Sequence, residues 1–203
     1  MSRKLLVTGI AVLATAALAF GLYQLQMRRE ARRWEGTFQE IVEEKIEHDD
    51  GTTRSRFVAL LPAPVEEVQA VVWQVERLEA TVPNFKISRL IEDLGNVKRV
   101  ELGIQALSLP LLRYEMEFTL HPEEHRVTFR TLRSQAQEIE GEYRLEPSPD
   151  GKKTRLIYST TAREKVPVPF PRAVLDSAGR ETFVNTVRGI ERLLRATPGP
   201  SSG

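Results

Sequence analysis

Three histidines, His48, His121 and His125, are the residues best suited by type to bind a metal or move a proton near neutral pH. None stands in an H-x-x-x-H or H-E-x-x-H pattern, and two of them flank the turn Pro122-Glu123-Glu124. The spacing predicts solvent-facing turn residues and no metal site. The chain has no cysteine, so disulfides and thiolate zinc sites are excluded. No G-x-S-x-G elbow, P-loop or G-x-G-x-x-G stretch occurs, and nothing calls for a cofactor. Carboxylates are plentiful, but Glu66/Glu67 and Glu115/Glu117 read as solvated faces. A general acid needs burial to raise its pKa, and no pattern isolates such a group. What remains is Tyr114, Tyr143 and Tyr158. Each falls on an inward strand face, where a phenol either bonds within the core or orients the polar head of a ligand.

The elements that carry these tyrosines are strands. "TFQEIVEEKIEHDDGTTRSRFVALL" reads as a β-hairpin turning at Asp50-Gly51. In "PAPVEEVQAVVWQVERLEATVP" the period becomes helical: Pro64 suits the first helical position, Glu66 and Glu67 the first turn, and Val65, Val68, Val72 and Val75 form a stripe. Strand period returns after Pro83. Val100, Leu102 and Ile104 share one face of "VKRVELGI", and "LRYEMEFTL" sets Leu112, Tyr114, Met116, Phe118 and Leu120 against Arg113, Glu115, Glu117 and Thr119. Phe129 follows in "HRVTFRTL", then Ile139, Gly141, Tyr143 and Leu145, then Leu156, Tyr158, Thr160 and Ala162. One apolar and one solvated face per strand is the antiparallel signature. Prolines 167, 169 and 171 keep the next stretch extended. Beyond them Leu175, Ala178, Gly179, Thr182, Phe183, Thr186, Val187, Ile190 and Leu194 make the stripe of the longest helix. The expected order is hairpin, helix, five strands and a long C-terminal helix that covers the apolar face of a curved sheet.

The two ends differ from this body. Leu5 to Tyr23 is nineteen residues without a charge, enough for ~28 Å of helix, about a bilayer core. Ala17-Leu18-Ala19 fits a signal-peptide cleavage site. The apolar run passes beyond it and four arginines follow, which favours an uncleaved single-pass anchor. The domain division is therefore 1–27 anchor or signal peptide, 28–35 polar linker, 36–196 folded domain and 197–203 disordered tail. Residues 1–33 hold six basic side chains against Glu30, a net of +5 within a chain total of +1, which leaves the rest at −4. An acidic body lacks the basic face that nucleic acid requires.

The order and local sequences resemble the START-like (SRPBCC) superfamily, in its polyketide cyclase/dehydrase and coenzyme Q-binding branch. "ALLPAPVEEVQAVVWQVERLEATVPNF" is similar to that branch's strand, Pro-Ala-Pro, helix and aromatic-after-proline segment. "EGEYRLEPSPDGKKTRLIYSTTA" is similar to its penultimate hairpin. One departure stands out: Val68 or Gln69 and Val75-Glu76 occupy the positions where members commonly carry a helix tryptophan and aspartate. The resemblance implies an α+β helix-grip, in which a sheet curls around a long helix with an apolar cavity between them. It also implies a hydrophobic small-molecule partner: lipid, isoprenoid quinone or polyketide-like compound. An aromatase/cyclase acting in the same cavity, or a scaffold with a filled core, are the alternatives. Given that fold, strand parity assigns the cavity to Leu102, Ile104, Leu109, Tyr114, Met116, Phe118, Phe129, Tyr143, Tyr158, Phe170, Leu175, Phe183 and Val187. Apolar loop residues are unusual at a sheet end, since loops normally face water. "ALSLPLL" has three readings: the rim of the cavity mouth, a patch that dips into the bilayer beside the anchor, or packing against "VPVPFP". Two proline-punctuated apolar loops favour the mouth, which Leu107, Leu109, Leu111 and Phe170 are expected to flank.

Overall fold

The computed structural model describes residues 30–107, 109–166 and 169–196, together with Phe20, Leu22, Gln24, Leu25 and Met27. Two compact units divide the chain, Met1–Gly36 and Thr37–Gly203. In the first, Glu30 accepts hydrogen bonds from the Arg33 guanidinium at 3.1 Å. Among the described residues no helix is long and apolar enough to cross a membrane. The anchor expected over residues 5–23 lies outside the described residues but for Phe20 and Leu22, as does the tail 197–203.

The second unit is α+β. Its elements are β1 (Gln39–Asp49), β2 (Thr52–Leu61), α1 (Val65–Val72), α2 (Leu78–Thr81), β3 (Phe85–Asp93), β4 (Val97–Ile104), β5 (Leu112–His121), β6 (Arg126–Ser134), β7 (Gln137–Pro147), β8 (Thr154–Glu164) and α3 (Arg172–Ala196). The strands form one antiparallel sheet in the order β1-β2-β8-β7-β6-β5-β4-β3. Six strands follow α2, against the five expected, and the Gly95-Asn96 turn separates β3 from β4 as its sequence suggests. The first hairpin closes as its sequence requires: Asp50 and Gly51 both take positive φ (35° and 71°), the pair of conformations a two-residue turn needs. Parity also holds, with Tyr114, Met116 and Phe118 buried on β5 and Glu115 and Glu117 on the opposite face.

The long helix α3 grips the concave face through Ala178, Phe183, Thr186, Val187 and Ile190, all buried. Gly179 of the expected stripe is exposed, and Gly189 is buried in its place. A Cβ at Gly189 would meet the Thr81 carbonyl oxygen at 2.9 Å, so a bare Cα is what lets α3 approach the end of α2. Arg192 reinforces that crossing by donating to the same oxygen at 2.7 Å. Asn84 is a second staple: buried, it donates to Glu181 at 3.0 Å and accepts from Asn185 at 2.6 Å.

The segment expected as one helix over 62–83 is broken. Pro64 is the N-cap rather than the first helical residue, α1 stops at Val72, and a 3-10 turn at Val75–Arg77 leads to α2. The buried Lys98 ammonium explains the break: it donates to the Trp73 carbonyl at 3.2 Å and to Glu76 at 2.8 Å, and lies 5.0 Å from the Trp73 ring centre. A cation fits the carbonyl-rich end of a helix and needs the Glu76 charge to be buried at all.

Gly141 marks where β6, β7 and β8 come closest. A Cβ there would sit 2.2 Å from the Ser159 carbonyl oxygen and 2.9 Å from the Phe129 ring. Gly141→Ala is therefore expected to cost about 2 kcal/mol or more. A Cβ at Gly179, in α3, would enter open space, and Gly179→Ala should add about 1 kcal/mol through helix propensity. Urea denaturation of the two variants checks both signs.

Candidate functional site

Between α3, the α1–α2 segment and the concave sheet lies an apolar crevice of about 80 Å³. The helical segment contributes Val71, Val72, Gln74, Val75, Leu78, Thr81 and Val82, and α3 contributes Thr186, Ile190 and Leu193. The sheet supplies Phe85, Leu102, Ile104, Met116, Phe118, Phe129, Ile139, Tyr143 and Tyr158. No carboxylate, imidazole, amine or guanidinium is among these wall residues.

Five rings of the sheet and Phe183 of α3 form one aromatic cluster at the base of the space. Phe57 and Phe183 stack at 5.1 Å, Tyr158 lies 5.8 Å from both Phe183 and Phe129, and Tyr143 lies 5.0 Å from Tyr158 and 5.5 Å from Phe129. Phe118 joins through Phe129 at 5.8 Å. Each such contact adds about 0.5–1.5 kcal/mol to simple burial, which makes this floor rigid compared with the broken helical wall opposite it.

The sequence match covers every crevice wall residue but Leu193. Residues 61–191, from the end of β2 to the last turns of α3, match the family described as polyketide cyclase / dehydrase and lipid transport. The chain belongs to that family.

Solved structures share the family fold at low identity. The Zhui aromatase/cyclase from Streptomyces superposes with a TM-score of 0.65 at 14% identity, covering 75% of this chain and 99% of that one. A START superfamily protein from Mycobacterium smegmatis gives 0.58 at 13% (70% and 97%). A STAR-related lipid transfer protein from Xanthomonas axonopodis gives 0.54 at 14% (75% and 98%). No curated relative matches the sequence. At these identities the likeness is one of fold.

Within the family fold, the sequence-derived site residues divide into three groups. Leu102, Ile104, Met116, Phe118, Phe129, Tyr143 and Tyr158 meet on the crevice wall. Tyr114, Phe183 and Val187 are buried but outside it. Phe183 and Val187 belong to the stretch of α3 pressed onto the first hairpin, where rings fill the gap. Leu109, Phe170 and Leu175 are half-buried and away from the crevice. None of Leu107, Leu109, Leu111 and Phe170, the residues expected at the mouth, lines this crevice. The reason is the path of α3. Its early turns face β1, through Asp176 to His48 and Arg180 to Glu44, and only its later turns reach α2. The wall residues missing from the sequence-derived set are Phe85 and Ile139 of the sheet and those of the α1–α2 break and the last turns of α3. Val72, Val75, Thr186 and Ile190 were legible as core stripes but carried no mark of a cavity.

The tyrosines separate by partner. The Tyr114 hydroxyl accepts a hydrogen bond from Gln137 at 2.7 Å, and burial pushes its pKa up to about 12 against that bond. Burial raises Tyr158 further, opposed by a hydrogen bond with Thr160. Tyr143 is raised well above its usual value by burial and by the neighbouring Tyr158. Its hydroxyl has no hydrogen-bond partner among the described residues, and the residue lines the crevice. Neutral phenols are the state the site holds, so it offers hydrogen-bond donors rather than a base.

The histidines stand apart from the crevice. His48 contacts Thr53 and Asp176, His121 contacts Thr128, and His125 contacts Gln69. Among the described residues no three metal-ligating side chains cluster.

The raised phenols set a pH dependence. Above the unfolded pKa near 10, the unfolded chain releases protons that the folded tyrosines keep, so stability is full below pH ~10 and falls as pH rises through the folded values. The expected slope is about −1.4 kcal/mol per pH unit for each protected tyrosine. Denaturant titrations from pH 9 upward (roughly to 11.5) should show the fall, and Tyr158→Phe should reduce the slope.

Proposed function

We propose that this chain binds a hydrophobic small molecule in the crevice between sheet and α3, and holds it at a membrane through an N-terminal anchor over residues 5–23. The observation that carries this reading is the wall itself: aliphatic and aromatic but for Gln74, Thr81 and Thr186, with a Tyr143 hydroxyl that has no hydrogen-bond partner among the described residues. The family description supports it, naming polyketide cyclase / dehydrase and lipid transport. An apolar guest gains roughly 0.8 kcal/mol per buried methylene, and the donor favours one whose polar end accepts a hydrogen bond.

The volume requires motion. Sites for drug-sized ligands run to ~300–1,000 Å³, well above the 80 Å³ present. The wall that yields is the segment 71–82, where an eight-residue helix, a 3-10 turn and a four-residue helix replace one continuous element. Acid–base catalysis of a cyclase type finds little support, since the wall offers phenols held neutral and no carboxylate or imidazole. The small volume does favour one other reading, a scaffold whose core is filled.

Uptake of a fluorescent long-chain acyl probe by the full chain separates the two. Saturable binding is expected, abolished by Ile190→Trp, which fills the crevice, and weakened about tenfold by Tyr143→Phe for a carbonyl-bearing probe. No saturable uptake, or uptake equal in wild type and Ile190→Trp, supports the scaffold.

A further inference from the structure

The leucines at 107, 109 and 111 have no role in the crevice. Leu107 holds a positive φ of 51°, a backbone state that side-chain-bearing residues rarely adopt. In that state it is 51% exposed, and it does not line the groove to which Leu111 and Leu112 belong. On the neighbouring edge strand β3, Ile91 is 51% exposed, and Val166 is 50% exposed. Ile91, Leu111, Leu112 and Val166 line one open groove of about 620 Å³, whose wall also takes in Tyr114 of the inner face and Glu101, Arg113 and Glu115 of the outer one.

The charges around this groove are ordered by depth. Arg89 and Arg113 both pair with Glu101, and Arg133 lies 3.8 Å from Glu115. The guanidinium side chains stand 74%, 64% and 85% exposed, whereas Glu101 and Glu115 are recessed at 21% and 30%. What meets an approaching surface is aliphatic side chains framed by arginines, with the acids beneath. Aromatic anchors of the kind that dominate protein interfaces are missing from the exposed part. Tyr114, at the floor, is buried.

We propose that this face docks on an anionic phospholipid bilayer, with the aliphatic side chains at the headgroup boundary and the arginines on lipid phosphates. Guanidinium groups suit phosphate by charge and by their paired donors, and their stems lie along apolar surface while the heads stay wet. The proposal uses the membrane-tethered reading only for the presence of a bilayer. A single span leaves a domain free to rotate about its tether, and this face would fix one orientation.

The absence of cysteine makes the test direct. The full chain carrying Leu111→Cys, labelled with an environment-sensitive fluorophore, is reconstituted into phosphatidylcholine vesicles with and without phosphatidylserine. Lys45→Cys, on β1 at the edge of the sheet opposite β3, is the control. The expected result is a blue shift and quenching by a lipid-borne quencher at position 111 only in phosphatidylserine vesicles. High salt should reverse it, and Arg113→Glu with Arg133→Glu should lower the docked fraction about tenfold, roughly fivefold or less per charge. A label that stays water-exposed in anionic vesicles overturns the proposal. So does protection that is indifferent to lipid charge and grows with protein concentration, which marks a second copy on this face. Neither result depends on whether the crevice takes a ligand, so this proposal and the crevice reading fail separately.

Discussion

Eight strands at ~4.8 Å spacing make a sheet about 34 Å across, whereas one helix with its side chains is ~10–12 Å wide. A single 25-residue helix cannot cover that apolar face if the sheet stays flat. Two responses follow from the constraint. The sheet curls, helped by register shifts at Gln39/Glu43, Leu90/Glu92 and Glu115/Met116 and by the close approach at Gly141. The chain also inserts α1 and α2 between the first hairpin and β3, so that the β3–β5 side gains cover α3 cannot give. The crevice is the seam where these two covers meet over the sheet, and its apolar wall is the consequence.

The two faces of the sheet follow different rules. Inside, rings and aliphatic side chains exclude water. Outside, opposite charges alternate across the strands: Glu92 with Arg99 at 2.9 Å, Arg99 with Glu117 at 3.3 Å, and Glu117 with Arg130 at 2.7 Å. The hydrogen bond from Arg130, then that from Arg99, holds the Glu117 carboxyl below the usual carboxylate range. Each exposed pair is worth little alone, but a strand slipped by one residue would carry these charges to the inner face. Arg155 departs from the pattern, buried on β8 and bound to Glu43 at 2.6 Å and Glu146 at 3.3 Å. Losing one partner would leave an uncompensated buried charge, which is the costly case.

Local chemistry made much of this legible beforehand. The Asp50-Gly51 turn, the inward Tyr114-Met116-Phe118 row and the C-terminal stripe through Phe183 and Ile190 all follow from turn residues and side-chain period. The family followed from the ordered hairpins and helix, since residues 61–191 match it. What parity could not supply was depth. Period tells which face a side chain takes, not whether Phe183 packs against a ring while Ile190 borders a gap. That depends on the oblique path of α3, set by distant contacts such as Gly189 on Thr81 and Asn84 on Asn185. The break at Trp73 depends on Lys98, twenty-five residues on in the chain, and the leucines at 107 and 111 turned outward for reasons their hydrophobicity argued against.

The account stands on the seam opening for a greasy guest in the living cell. Native mass spectrometry of the whole chain, purified from its own host under conditions that retain bound lipid, tests that most directly. A discrete adduct of one hydrophobic species at one copy per chain is the predicted spectrum. A bare chain, under conditions where a control lipid carrier keeps its cargo, would contradict it.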